Sequence, residues 1–359
     1  MKSPRSILIV KLSSIGDVVM SMPVARALKQ AYPESRVSWL VEGPARPLVE
    51  ACPYVDQVLE FPKAHGLAQI KAGQWLSVAS QARAFVRGLR RERFDVAMDL
   101  QGLLRSGVLT WLSGASRRIG RQDAREGGHL FINERVAPSS PRTRAAQQYM
   151  DLLRPLGLHE ADPSLFVPVS TEDEAAATRY LEAELGAPGE RFAALAMSTT
   201  FYHKHWPEEQ VAGLVDRLFE DYGLRSVMLG SAKDLDSQRR VAQLARHAPV
   251  LAAGATSLTE AAAVMGRAEM VVAVDTGLLW IALAVRAPLV GIFGPTTYEH
   301  LADEAAEIAC KPFPCAPCLR SATCEDRDCM RALSVDDAMA AVGRVMARTS
   351  TPQPVAVQG

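Results

Sequence analysis

Four polar clusters in this chain have the residue types that chemistry on a phosphorylated substrate requires. The first is Ser13-Ser14-Ile15-Gly16-Asp17, which follows the apolar run Ser6 to Val10 and opens a helical pattern. A carboxylate there could accept a proton from a bound hydroxyl, or it could simply cap the helix. The second, Ser198-Thr199-Thr200-Phe201-Tyr202-His203-Lys204-His205-Trp206-Pro207, sets hydroxyls and a cation in a loop after a strand. Such a loop can bind and neutralise a phosphate, with Lys204 as a point charge. The two histidines flanking Lys204 lack a carboxylate pattern and read as surface residues rather than metal ligands. In the third, Gly230-Ser231-Ala232-Lys233-Asp234, the carboxylate suits either a ribose diol or a helix cap. The fourth, Asp275-Thr276-Gly277-Leu278, turns from a strand into an apolar helix. Its unpaired N–H groups and partial positive charge favour a pyrophosphate, and Gly277 lets backbone approach it; a simple N-cap at Asp275 is the alternative.

Each cluster has to be held by the elements around it. Met270 to Val274 and Pro288 to Phe293 are apolar on both faces, as strands of a covered parallel sheet are, with a helix from Leu278 to Arg286 between them. Ligands of such sheets bind beyond the carboxyl ends of the strands, where all four clusters lie. Strand patterns at Arg36 to Val41, Gln57 to Phe61 and Asp95 to Leu100 alternate with helical ones, including Ser77 to Arg91, whose arginines face outward, and Arg142 to Leu156. Periodicity is lost between Gly157 and Thr171 and restarts at Glu172. The expected organisation is α/β, with two doubly wound Rossmann-like domains facing across a cleft. The expected domains are residues 1–165 and 166–347, followed by a disordered tail over 348–359.

The chain's 40 basic and 40 acidic residues cancel, which excludes a global field for nucleic acid or an anionic membrane and requires any anion to be held locally. The N-terminus has no secretory pattern and no apolar run approaches the ~20 residues that span a bilayer, so a soluble cytoplasmic protein is expected. Of six cysteines, five lie between Cys310 and Cys329. The spacing of Cys315, Cys318, Cys324 and Cys329 allows a structural zinc or iron site, with reduced thiols as the alternative. SSIGD lacks the three glycines of a dinucleotide fingerprint, which disfavours a nicotinamide or flavin there.

Six segments, ILIVKLSSIGDVVMSMPVARALK, DLQGLLRSG, STTFYHKHWPEE, GSAKD, VVAVDTGLLWIALA and PLVGIFGPT, spread over residues 7 to 296, resemble in order the lipopolysaccharide heptosyltransferases of glycosyltransferase family nine. The resemblance implies a GT-B fold, with acceptor bound by residues 1–165 and nucleotide-sugar by residues 166–347, and an inverting, metal-independent transfer of heptose from ADP-heptose to Kdo-lipid A or heptosyl-Kdo-lipid A. It implies a cytoplasmic enzyme with peripheral contact to the inner membrane. It assigns Asp17 as catalytic base, Thr199, Thr200 and Lys204 as donor-phosphate contacts, and Asp234 to the ribose. Thr256 goes to the adenine pocket, and Asp275, Thr276, Gly277 and Leu278 to the pyrophosphate turn. Lys63, Arg105, Arg121 and Arg125 are candidates to meet the acceptor's carboxylates and phosphates. GRQDAREGGHLF resembles the heptosyltransferase I branch, and the cysteine-rich segment the II branch. One departure stands out: Trp280 occupies a position where the family usually has histidine. It keeps open another nucleotide sugar, a protein acceptor, or a non-catalytic sugar-nucleotide-binding relative.

Overall fold

The structure, a computed structural model, describes residues 3–63, 73–139, 145–187, 189–298, 301, 306–318, 324 and 326–349. The chain divides into two compact units, Met1–Pro168 and Val169–Gly359.

In the first unit, β1 (Ser6–Val10), β2 (Arg36–Glu42), β3 (Gln57–Phe61), β4 (Val96–Asp99), β5 (Arg117–Arg121) and β6 (Glu134–Val136) form one parallel sheet in the order β3-β2-β1-β4-β5-β6. The central strand is wholly buried: Ile7, Leu8, Ile9 and Val10 are all 0% exposed. That is why it reads as an unbroken apolar run. The order reverses direction between β1 and β4, the switch point outside which ligands of such sheets bind.

The helix Ile15–Ala31 starts there, with Ser14 as N-cap. The pattern expected to run as one helix to Leu156 is helical over Ala145–Met150 and tightens to a 3-10 turn over Asp151–Leu156, where Pro155 removes a backbone donor. Residues 142–144 of that expectation, and 350–359 of the expected tail, lie outside the described residues.

The second unit repeats the plan with β7 (Phe192–Ala196), β8 (Arg225–Gly230), β9 (Val250–Ala253), β10 (Met270–Val274), β11 (Leu289–Phe293) and β12 (Ala306–Cys310), ordered β12-β11-β10-β7-β8-β9. Its switch point falls between β7 and β10, which pair in parallel from Met270 with Ala193 to Ala273 with Ala196. The helix Gly277–Ala284 follows β10, and the helix Val335–Thr349 closes the core through Ala338, Ala341, Val342 and Val345, each at most 1% exposed.

Candidate active site

Asp17 lies in the first turn of its helix at the β1/β4 switch point, and both of its oxygens are engaged. Oδ2 accepts from the Ser14 N–H at 3.1 Å and the Ser14 hydroxyl at 2.9 Å. Oδ1 accepts from the Tyr149 hydroxyl at 2.8 Å and faces the Lys11 ammonium at 3.6 Å. The sequence left base and cap as alternatives; the structure shows the carboxylate tied to its own helix start while one edge stays open, 35% of the side chain being exposed. A carboxylate has about four acceptor positions, and three are filled by hydrogen bonds.

Burial pushes the Asp17 pKa up, but the Lys11 charge and the Tyr149 and Ser14 donors outweigh it and hold the group below the usual carboxylate range. Asp17 is therefore ionised near neutrality. Tyr149, whose pKa is driven well up by burial and by Asp17, stays protonated and keeps donating.

Lys11 is itself buried, with its ammonium 4.9 Å from the centroid of the Tyr149 ring. Burial lowers its pKa, opposed by Asp17 and Asp99. Asp99, at 0% exposure, accepts from the Gln101 and Gly102 amides through Oδ1, while Oδ2 has no hydrogen-bond partner among the described residues. The Gln101 side chain in turn receives the Leu12 and Ser13 amides and fixes the strand-to-helix turn. Tyr149 and Lys11 are neighbours of Asp17 that sequence reasoning missed. Lys11 ends a buried strand beside the polar turn, which is a usable signal, whereas Tyr149 is 132 residues from Asp17 and carries none.

At the β7/β10 switch point the loop after β7 and the turn after β10 come together. Lys204 Nζ lies 2.6 Å from Asp275 Oδ2, with the two side chains 17% and 21% exposed. The Thr199 hydroxyl donates to the Asp275 carbonyl at 3.3 Å, and His205 Nε2 lies 2.7 Å from the Thr199 carbonyl. Trp206, 2% exposed, donates through Nε1 to the Leu333 carbonyl and pins the end of the loop. Thr276, not Asp275, is the N-cap of the helix Gly277–Ala284, and its side chain makes no capping bond. The first N–H groups of that helix therefore remain available beside Lys204. Thr200 is exposed; Thr276, Gly277 and Leu278 are half-buried.

The family model described as Glycosyltransferase family 9 (heptosyltransferase) matches residues 82–327. The chain belongs to glycosyltransferase family 9. A lipopolysaccharide heptosyltransferase 1 of Pseudomonas aeruginosa is 30% identical over 332 residues, 89% of this chain and 87% of that one. The family 9 glycosyl transferase from Veillonella parvula superposes with a TM-score of 0.79 at 19% identity, covering 96% of this chain and 98% of the other. E. coli heptosyltransferase WaaC with ADP-2-deoxy-2-fluoro heptose gives 0.71 at 24% identity, covering 96% and 100%. The two parallel sheets are those of the GT-B heptosyltransferase structures, and this family 9 chain is a glycosyltransferase.

The remaining residues singled out in this family 9 sequence are placed as follows. Asp234, after β8, binds the Ser231 amide and hydroxyl through Oδ2 at 2.7 and 2.8 Å, so one oxygen serves the turn as a cap. Thr256, after β9, is half-buried. Lys63 and Arg105 do not stand free: both clasp Glu42, at 3.2 and 2.8 Å. Arg121 forms a two-point pair with Asp123, at 2.9 and 2.7 Å, while Arg125 is exposed. Trp280 is half-buried in the helix Gly277–Ala284.

The Cys318 amide donates to the Pro295 carbonyl, and a Cβ added to Gly294 would come within 3.1 Å of Cys329 Sγ, so two of the cysteines gather just past β11. Burial raises the Cys329 pKa first, and Cys315, Cys318 and Cys324 raise it further. The four thiols share one neighbourhood. Among the described residues, however, no three His, Cys, Asp or Glu side chains converge as a metal ion would require.

Proposed function

We propose that this chain transfers a heptose from ADP-heptose to the inner core of lipopolysaccharide, onto Kdo-lipid A or heptosyl-Kdo-lipid A. The observation that carries the reading is the Lys204–Asp275 pair beside the open helix start at Thr276 and Gly277. It builds an anion cradle at the β7/β10 switch point, where nucleotides bind in such sheets. The name of the Pseudomonas relative and the nucleotide-sugar analogue bound by the E. coli structure support the choice of donor and acceptor.

In the step proposed, an acceptor hydroxyl oxygen attacks the anomeric carbon while Asp17 takes its proton. The bond from that carbon to the diphosphate oxygen breaks on the opposite face, and ADP leaves. The configuration inverts. Lys204 and the amides at Thr276 and Gly277 stabilise the charge that gathers on the leaving diphosphate. Thr199 and Thr200 complete the phosphate contacts, Asp234 takes the ribose, and Thr256 borders adenine. Lys63, Arg105, Arg121 and Arg125 meet the acceptor's anionic groups by exchanging their present carboxylate partners where they have them. Transfer takes place on the cytoplasmic side, at the inner membrane surface. The cysteine quartet closes on zinc or iron only by drawing its sulfurs together, and metal content below about a tenth of an equivalent in protein purified without added metal would remove that site.

Asp17→Asn tests the base: ADP binding should persist and transfer should vanish, and transfer at the wild-type rate would refute the assignment. Trp280 favours a second reading, a different sugar nucleotide as donor. Thermal-shift comparison of ADP-heptose with UDP-, GDP- and other ADP-sugars separates the two.

A further inference from the structure

The helix Trp75–Arg91 contains Arg83, Arg87, Arg90 and Arg91 and no acidic residue. Only Leu89 of its side chains is buried. Trp75 is 64% exposed and Leu76 88%, the largest exposure among the big apolar side chains of the described residues. Arg83, Arg87 and Arg91 have no carboxylate partner among the described residues, and the carboxylate that follows the helix, Glu92, is taken by Arg36. Arg90 donates to the Leu112 carbonyl, which brings the far end of the helix beside Trp111, itself 49% exposed. Ala82, Arg83, Val86, Arg87 and Arg90 line a shallow, open depression whose surface is mostly apolar.

In a chain of zero net charge, an acid-free arginine face with an unburied tryptophan and leucine has a specific chemistry. Guanidinium groups pair with phosphates, and an indole with an adjacent leucine suits the boundary between headgroups and acyl chains. We propose that this helix docks the protein on an anionic lipid surface, with Arg83 and Arg87 on lipid phosphates and Trp75 and Leu76 inserted among the headgroups. A nucleic acid would use the arginines but leave the exposed leucine in water. This surface belongs to the helix itself, and it deepens the proposed reading of a lipid-linked acceptor by naming where the membrane is met.

The test is co-sedimentation of the full chain with vesicles of phosphatidylcholine, with or without phosphatidylglycerol, at low and high salt. Binding should require the anionic lipid and weaken with salt. Arg83→Gln combined with Arg87→Gln should weaken it about thirtyfold, at the usual contribution of one basic residue near such a surface. Trp75→Ser should abolish the blue shift of tryptophan emission on vesicle addition. Both variants should transfer sugar to a soluble, delipidated acceptor at the wild-type rate. Equal binding to neutral vesicles, unaltered binding by the double arginine variant, or arginine-dependent binding to a DNA duplex in place of vesicles would overturn the proposal. A wild-type protein that binds vesicles but transfers nothing to any acceptor would instead sink the functional reading and leave this surface standing.

Discussion

If Lys204 holds the donor diphosphate, as proposed, replacing it separates two contributions to binding that one ion pair combines. In the free protein its ammonium lies 2.6 Å from Asp275 Oδ2, with both side chains largely shielded from water. Lys204→Ala removes a charged donor to the diphosphate, worth about 1.5–3 kcal/mol, or roughly tenfold to over a hundredfold in affinity. It also uncovers the Asp275 carboxylate, which then faces an anion. A unit charge about 5 Å from another costs about 3 kcal/mol at an effective dielectric constant near 20, so the single substitution should lose more than the missing hydrogen bond alone. Adding Asp275→Asn removes that repulsion and should restore about tenfold or more of the lost affinity. Alone, Asp275→Asn should alter affinity far less than Lys204→Ala. Titration calorimetry with ADP and with the sugar nucleotide reads all four corners of the cycle. A double variant no better than Lys204→Ala, or a Lys204→Ala protein binding ADP as tightly as wild type, would refute the argument.

Tyr149→Phe removes a donor that favours the ionised form of Asp17. If transfer needs that ionised form, activity falls as pH drops through its pKa, so the acid limb of kcat/KM should move toward neutral pH; an unmoved limb would disconnect the tyrosine from the base. Gly107→Ala would place a Cβ 2.6 Å from the Gly128 carbonyl oxygen, a backbone atom that cannot rotate away. A loss of about 1–3 kcal/mol should appear as a melting temperature several degrees lower. Trp280→His should tighten ADP binding by about tenfold if the imidazole reaches the phosphates, since a charged hydrogen bond contributes roughly 1.5–3 kcal/mol; unchanged calorimetric affinity would place residue 280 off the donor.

Legibility followed burial. β10 reads to the residue because Met270 to Val274 are all 0% exposed, and a fully covered strand has no reason to admit a polar side chain. β5 was not visible, because three of its five residues are arginines, which read as a polar stretch. Arg117 is paired by Glu134, Arg118 donates to the Phe131 carbonyl and Arg121 is held by Asp123, so the strand stays in the sheet with its charges satisfied. β6, three residues at a sheet edge, is too short for a period to show, and β12 at the other sheet's edge is only partly buried and carries Glu307 among small side chains, so it has no apolar run to read. The four polar clusters were legible because each follows a readable strand. Their partners were less so: Lys204 with Asp275 spans 71 residues and Tyr149 with Asp17 spans 132, distances over which no local pattern carries information.

The pairing of Lys204 with Asp275, of Lys63 and Arg105 with Glu42, and of Arg121 with Asp123 means that most of the candidate ligand-binding cations already have a counter-ion. An arriving phosphate must then displace a resident carboxylate rather than neutralise a bare charge. Swapping one anion for another changes the surrounding ion atmosphere little, so capture of the sugar nucleotide should depend only weakly on ionic strength and should discriminate against any stray polyanion that lacks the shape to compete. Arg83, Arg87 and Arg91, with no carboxylate partner among the described residues, would obey the opposite rule, so that under the two proposals one molecule has a salt-tolerant grip on its donor and a salt-labile grip on its surroundings.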